Sequence, residues 1–332
     1  MMTNNLRGRA FAARVAVGLF LLTGCSSNES TKSTDALETA AATPATSEGG
    51  FVVAASFYPL AEIVQAIGGD QVEVLNLTPV GVGPHDLELK PQDLENLEKA
   101  ALVVYLGKGF QPLVEKAATQ LPASVVRLDV LDAVKLLGVD PVIEGVVGET
   151  DGEVLAGDVD PHIWVDPVRF AEMAKAVEVA MTKARPDSAE MFAANLLTYT
   201  KTLTDLDSEF AAGLKTCESR AIVTSHRAFG YLSNRYVLKQ LPIAGISPDE
   251  EPNPKSLEAV AAAAKKENVT VIFFESLVPK ALADTVAKEI GATTDSLNPI
   301  EGLTQEELDA GTSYVSLQQA NLAALRNGLR CS

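Results

Sequence analysis

The spacing of apolar residues switches between two periods along most of this chain. From Phe51 onward, short continuous apolar runs give way to segments whose apolar residues return every three or four positions, and the pair recurs. Short runs bounded by turn residues read as buried strands, and the longer period reads as amphipathic helix. The pattern predicts strands over Phe51–Ser56, Val72–Leu77, Leu102–Tyr105 and Val125–Leu128. Helices are expected over Tyr58–Ile67, Pro91–Lys99, Phe110–Gln120 and Val168–Ala184. Such alternation implies βαβ units and a mainly parallel sheet.

Pro186-Asp187 then opens a segment with no glycine before Gly213. Met191, Leu196, Leu197, Leu203, Leu206 and Phe210 keep helical spacing to about Leu214. A helix of that length extends about 42 Å at about 1.5 Å per residue, enough to run between two domains. No heptad is sustained, which argues against a coiled coil. A second βα set follows, with strands over Ala221–Thr224, Leu241–Ile246, Val269–Phe274 and Ala292–Thr294. Its helices are expected over Phe229–Tyr236, Pro254–Glu267, Leu277–Ile290 and Tyr314–Leu329. The expected fold class is therefore α/β: two βα-sandwich lobes with mainly parallel sheets, residues 51–185 and 217–332, joined by one long rigid helix over 186–216.

The N-terminal end has a different pattern. Arg7, Arg9 and Arg14 precede the apolar run Val15–Leu22, an n-region followed by an h-region too short to span a bilayer permanently. Leu22-Thr23-Gly24-Cys25 resembles the bacterial lipobox, which is cut before its cysteine and diacylated there. Residues 1–24 are thus expected to be a lipoprotein signal peptide, with Cys25 the lipid anchor on the extracytoplasmic face of the cell membrane. Residues 25–50, rich in Ser, Thr, Ala and Glu, read as a flexible tether. Residues 139–160 read as an exposed acidic loop. Cys217 and Cys331 remain as an even pair in an oxidising compartment, and a disulfide between them is expected. Two buried free thiols are the alternative.

Composition adds mainly exclusions. Hydrophobic residues make up 47% and the formal net charge is −17, so a globular body is expected and a polybasic surface for nucleic acid is not. The long-range field favours cations. A monomer is expected.

The chain has three histidines, and each stands where a loop begins. His85 follows Gly83-Pro84, beyond the strand at Val72–Leu77. His162 lies in Asp160-Pro161-His162-Ile163-Trp164-Val165-Asp166-Pro167. His226 follows the strand at Ala221–Thr224. In open parallel sheets ligands bind beyond the carboxyl ends of strands, so two histidines of the first lobe and one of the second are placed to meet between lobes. Imidazole is a good ligand for Zn²⁺, and three imidazoles plus a carboxylate complete a tetrahedron. Spacing alone does not distinguish this from three core or surface histidines.

Several motifs resemble those of the zinc/manganese solute-binding lipoproteins of bacterial metal ABC transporters. They are Gly83-Pro84-His85-Asp86-Leu87-Glu88-Leu89-Lys90-Pro91, the Asp160–Pro167 segment, and Ser225-His226-Arg227-Ala228-Phe229-Gly230-Tyr231. Ile246–Pro252 and Val271-Ile272-Phe273-Phe274-Glu275 match family signatures without ligand duty. The resemblance runs from about Phe51 to Leu329. It implies a TroA-like solute-binding fold and delivery of Zn²⁺ to an ABC permease, with His85, His162 and His226 as ligands. Histidine at the third position argues for zinc, and manganese stays open. Two carboxylates compete for the fourth position. Asp295, in Thr294-Asp295-Ser296-Leu297, matches the family's local motif and stands at an expected strand end. Glu301 is the alternative, and Asp295 is favoured. Glu88, Asp160 and Asp166 are candidates to orient imidazoles, although Asp166 equally suits a helix cap. Trp164 is expected to pack. The acidic loop lacks the histidines that many zinc members carry there. A non-enzymatic role is expected. A zinc hydrolase, which needs an open metal position, and an adhesin are the less favoured alternatives.

Overall fold

The computed structural model describes residues 50–138, 159–250 and 252–332. The segments expected to form a signal peptide with Cys25, a tether up to residue 49 and an acidic loop, here residues 139–158, lie outside those residues. No helix among the described residues is long and apolar enough to cross a membrane.

The first half forms β1 (Phe51–Ala55), α1 (Tyr58–Gly68), β2 (Val72–Asn76), α2 (Pro91–Lys99), β3 (Leu102–Tyr105), α3 (Pro112–Gln120) and β4 (Val126–Asp129). The helices α4 (Pro167–Ala184) and α5 (Ala189–Gly213) follow, and then β5 (Ala221–Thr224), α6 (Gly230–Tyr236) and β6 (Lys239–Pro242). The chain closes with α7 (Pro254–Lys266), β7 (Val271–Phe274), α8 (Ala281–Ile290), β8 (Thr293–Ser296), α9 (Gln305–Asp309) and α10 (Tyr314–Gly328). The strands make two parallel sheets, ordered β2-β1-β3-β4 and β6-β5-β7-β8. These are the two α/β lobes the apolar pattern implied, and both have the same strand order.

Local chemistry explains most helix starts. Proline stands in the first turn of α1, α2, α3, α4 and α7, where its missing N–H has no intrahelical duty. Asp166 caps α4 by accepting from Val168 N at 2.9 Å, and Asn253 caps α7 by accepting from Ser256 N at 2.9 Å. Gly291 ends α8 with φ +73°, a conformation that glycine adopts at no steric cost.

Each sheet is buried on both faces at its centre, which is why the inner strands β1, β3, β5 and β7 read as apolar runs. Leu97, Val103 and Val114 pack on the outer face of the first sheet; Val223, Val260 and Ile272 lie on the outer side of the second. One larger cluster runs from Val53, Leu102 and Val104 through Phe170, Phe192 and Phe210 to Phe273 and Leu325, so the lobes share a core through α4, α5 and α10. The 25-residue α5 extends about 37 Å. Cys217, just past it, is bonded to Cys331 at the C-terminal end.

The sixth strand departs furthest from its expected span. The apolar run at Leu241–Ile246 reads as a single strand, but β6 ends at Pro242. It is an edge strand, and a proline cannot donate to the ladder. The remaining apolar residues pass beneath the loop after β5 instead: Ile243 N and Ala244 N donate to Thr224 O and Ser225 O at 2.9 and 2.8 Å, and Arg227 N donates to Gly245 O at 2.8 Å. The run therefore braces the segment that carries His226.

Candidate metal centre

Each lobe contributes two side chains to one cluster beyond the carboxyl ends of the strands. His85 rides on a single 3-10 turn, Pro84–Asp86, in the loop that leaves β2. His162 precedes a second such turn, Ile163–Val165. His226 stands two residues beyond β5, and Glu301 lies in the loop between β8 and α9. His162 and His226 have no exposed surface and Glu301 is buried.

The four ligand atoms, one per side chain, lie within 4.8 Å of one another. Glu301 Oε1 is 3.5 Å from His85 Nε2, 3.4 Å from His162 Nε2 and 3.2 Å from His226 Nε2. His162 Nε2 and His226 Nε2 are 3.3 Å apart. Ligands about 2.0–2.1 Å from a tetrahedral Zn²⁺ stand about 3.3–3.4 Å from each other. Four of the six edges of the cluster, the three to Glu301 and that between His162 and His226, thus match those of a zinc tetrahedron.

Carboxylates behind the rings fix which nitrogen faces inward. His162 Nδ1 is 2.9 Å from Asp160 Oδ1, which also accepts from His162 N at 2.9 Å. His226 Nδ1 is 2.8 and 2.9 Å from the two oxygens of Glu275, and His226 N donates to Glu275 at 3.1 Å. Such pairs orient the ring and raise the basicity of Nε2. Asp160 is itself held from the second lobe: Tyr231 Oη donates to Asp160 O at 2.8 Å. Gly230 beside it leaves room, since a Cβ there would collide with Asp160 Oδ2. The first lobe's ligand segment is clasped further along. Tyr314 Oη donates to Trp164 O at 2.6 Å and Gln318 Nε2 to Val165 O at 3.0 Å.

The cluster is polarised without metal. Burial alone lowers the His226 pKa, but the charges of Glu275 and Glu301 and their hydrogen bonds outweigh it and push it up to about 10. Burial alone raises Glu301; the charge on His226 and hydrogen bonds from the three imidazoles hold it well below the usual carboxylate range. A proton on His226 and the Glu301 carboxylate therefore form the ion pair that a dication would replace. At the mouth, a cavity of about 110 Å³ is lined by Asp86, Asp249 and Glu301 among others. There the hydrogen bond to Asp249, with burial and repulsion, pushes Asp86 up to about 6.

The three histidines expected to meet do meet. Asp295, favoured for the fourth position, does not join them. It lies within the edge strand β8, paired with Phe273, and its Oδ1 accepts from Ser296 N at 2.9 Å. The chain must leave the sheet and run on to Glu301 before a carboxylate reaches the cleft. Among the expected orienting residues, Asp160 takes that part, Glu88 is exposed, and Asp166 serves as a cap that also pairs with Arg235 and Arg169. Glu275 reads in the sequence as a signature residue without ligand duty, and its contact with His226 is not foreseen there. Its place just past β7, beside β5, is the available signal.

The family model described as ZnuA, zinc-uptake complex component A periplasmic, matches residues 53–328. The high-affinity zinc uptake system protein ZnuA of Bacillus subtilis (strain 168) is 37% identical over 324 residues, covering 95% of this chain and 96% of that protein. The zinc-binding lipoprotein AdcA of Streptococcus pneumoniae is 33% identical over 84% of this chain, which spans 56% of AdcA's length. The Zn(II)-bound ZnuA-like domain of Streptococcus pneumoniae AdcA superposes with a TM-score of 0.71 at 32% identity, covering 85% of this chain and 99% of that one. With two parallel-sheet lobes, a buried cluster between them and a model match across nearly all of both, the chain belongs to the ZnuA family.

Proposed function

We propose that this protein binds one Zn²⁺ through His85, His162, His226 and Glu301 and delivers it to an ABC permease for uptake. The observation that carries the reading is the convergence of four buried ligand atoms within 4.8 Å of one another, two from each lobe. Three imidazoles and one carboxylate suit Zn²⁺ better than Mn²⁺, which favours oxygen ligands. A fourth protein ligand closes the position that a hydrolytic zinc keeps for water, so carriage fits the site better than catalysis. Acylated Cys25 would hold the protein at the extracytoplasmic face of the membrane, with residues 26–50 as the tether, and a single copy suffices to form the site.

Metal analysis of the purified protein tests the reading. One zinc per chain is expected, displaced poorly by excess Mn²⁺, and lost or greatly weakened in His226→Ala and Glu301→Gln. Asp295→Asn is expected to bind zinc as the unaltered protein does. A protein that retains no zinc, or one in which Asp295→Asn loses zinc while Glu301→Gln keeps it, contradicts the assignment.

A further inference from the structure

The residue before Glu301 is held in an unfavourable backbone conformation. Ile300 is fully buried and has φ +58°, in the left-handed region. For a β-branched residue that conformation is a genuine outlier, and such strain persists only where the surroundings over-determine it. Here they do. The peptide joining Pro299 and Ile300 is pinned at both ends: its carbonyl oxygen accepts from Trp164 Nε1 at 2.7 Å, and its N–H donates to Asn298 Oδ1 at 2.7 Å. Asn298 is in turn locked to α10, its N donating to Asn321 Oδ1 at 2.8 Å and its O accepting from Asn321 Nδ2 at 2.7 Å.

The two pins come from different lobes. Asn298 and Asn321 belong to the second, with Glu301. Trp164 belongs to the first and stands two residues past His162. The bond from Trp164 therefore exists only while the lobes are together.

We propose that the Pro299–Ile300 peptide is a strained presenter for Glu301, latched by Trp164. When the lobes part, the Trp164 bond breaks and the peptide is free to rotate. Ile300 relaxes to negative φ, and Glu301 swings away from the three imidazoles. The metal passes from four protein ligands to three, so lobe separation and loss of affinity are one event. Trp164 and Asn298 are positioning residues that set how long zinc stays bound. This rests on the zinc site proposed above.

The test is zinc release into excess chelator, followed by stopped flow, for Trp164→Phe and Asn298→Ala. Each removes one pin of the same peptide. Both are expected to keep one zinc per chain and release it about 10–100-fold faster, the usual scale for lost positioning contacts around a metal site. In a Glu301→Gln background neither is expected to accelerate release further. Ile300→Gly, which takes the same φ without strain, is expected to slow release again when added to Trp164→Phe. In the metal-free protein, amide exchange at Ile300 is expected to quicken in both pin variants, which reads the latch without metal. Release at the unaltered rate in both variants, or equal acceleration with and without Glu301, overturns the latch; no recovery with Ile300→Gly overturns its strain. If Glu301→Gln alone leaves release unchanged, the metal-site assignment itself falls, and the latch with it.

Discussion

At the scale of single residues, the site turns on how a proton and a dication compete for the same place. With His226 pushed up to about 10 in the metal-free protein, its ring carries a proton at neutral pH. A ligand imidazole must be neutral, so zinc binding expels that proton. Apparent zinc affinity is therefore expected to rise by up to about tenfold per pH unit between roughly pH 7 and pH 10, and calorimetry in buffers of different ionisation enthalpy is expected to find at least one proton released at pH 7. Affinity independent of pH would contradict the ion-pair picture. The same raised pKa sets a stability window for the metal-free protein. The contribution is complete below the unfolded value near 6.5 and disappears as pH rises through about 10. Thermal melts of the metal-free protein between those limits are expected to fall with pH, and to fall less in Glu275→Gln.

Residue-level reading finds three of the four converging groups, because histidine is rare here and each stands at a strand end or a Pro-bearing turn. It favours Asp295, which the fold leaves in β8 outside the cluster, over Glu301, which the fold brings into it. Asp295 looks better because a strand end is expected just before it, whereas β8 continues through Ser296. Sequence cannot show that the loop then carries Glu301 into the cleft, because the turn depends on Asn321 and Trp164, far away along the chain.

At the scale of elements, most boundaries follow from proline, glycine and apolar period, which act locally. The exceptions have tertiary causes. The run at Leu241–Ile246 stops being a strand where Pro242 meets a sheet edge, and α9 is too short for a period to emerge. Two predictions belong here. The Cys217–Cys331 bond closes a separation of 114 residues, tying the end of α5 to the C-terminus. Its removal is expected to cost about 2–5 kcal/mol, seen as a lower denaturant midpoint with reductant or in the Cys217→Ser/Cys331→Ser double variant. A midpoint unchanged by reduction would show that the bond adds nothing. Gly230→Ala is expected to displace Asp160 and weaken zinc binding about 10–100-fold, since the new Cβ meets the carboxylate that orients His162. Unaltered affinity in a folded Gly230→Ala variant would remove Asp160 from that role.

At the scale of the whole molecule, the fold class is legible because parallel sheets buried on both faces leave an unmistakable alternation of apolar runs and amphipathic helices. How the two lobes meet is not, since it rests on contacts between distant segments such as Tyr314 with Trp164 and Tyr231 with Asp160. Those contacts make the site a joint property of both lobes, so ligand and fold are coupled. Zinc in thousandfold excess over its dissociation constant is expected to stabilise the folded chain by about 4 kcal/mol, raising the melting temperature in a way that a chelator reverses. The net charge of −17 adds a long-range field that favours cations, a contribution that added salt reduces.

X-ray absorption at the zinc edge of the loaded protein tests the central claim most directly, because it counts the donors around the metal. The account predicts four nitrogen or oxygen neighbours at about 2.0–2.1 Å, with outer-shell scattering from three imidazoles. A sulfur neighbour, a six-coordinate shell, or scattering from fewer than three imidazoles would contradict it.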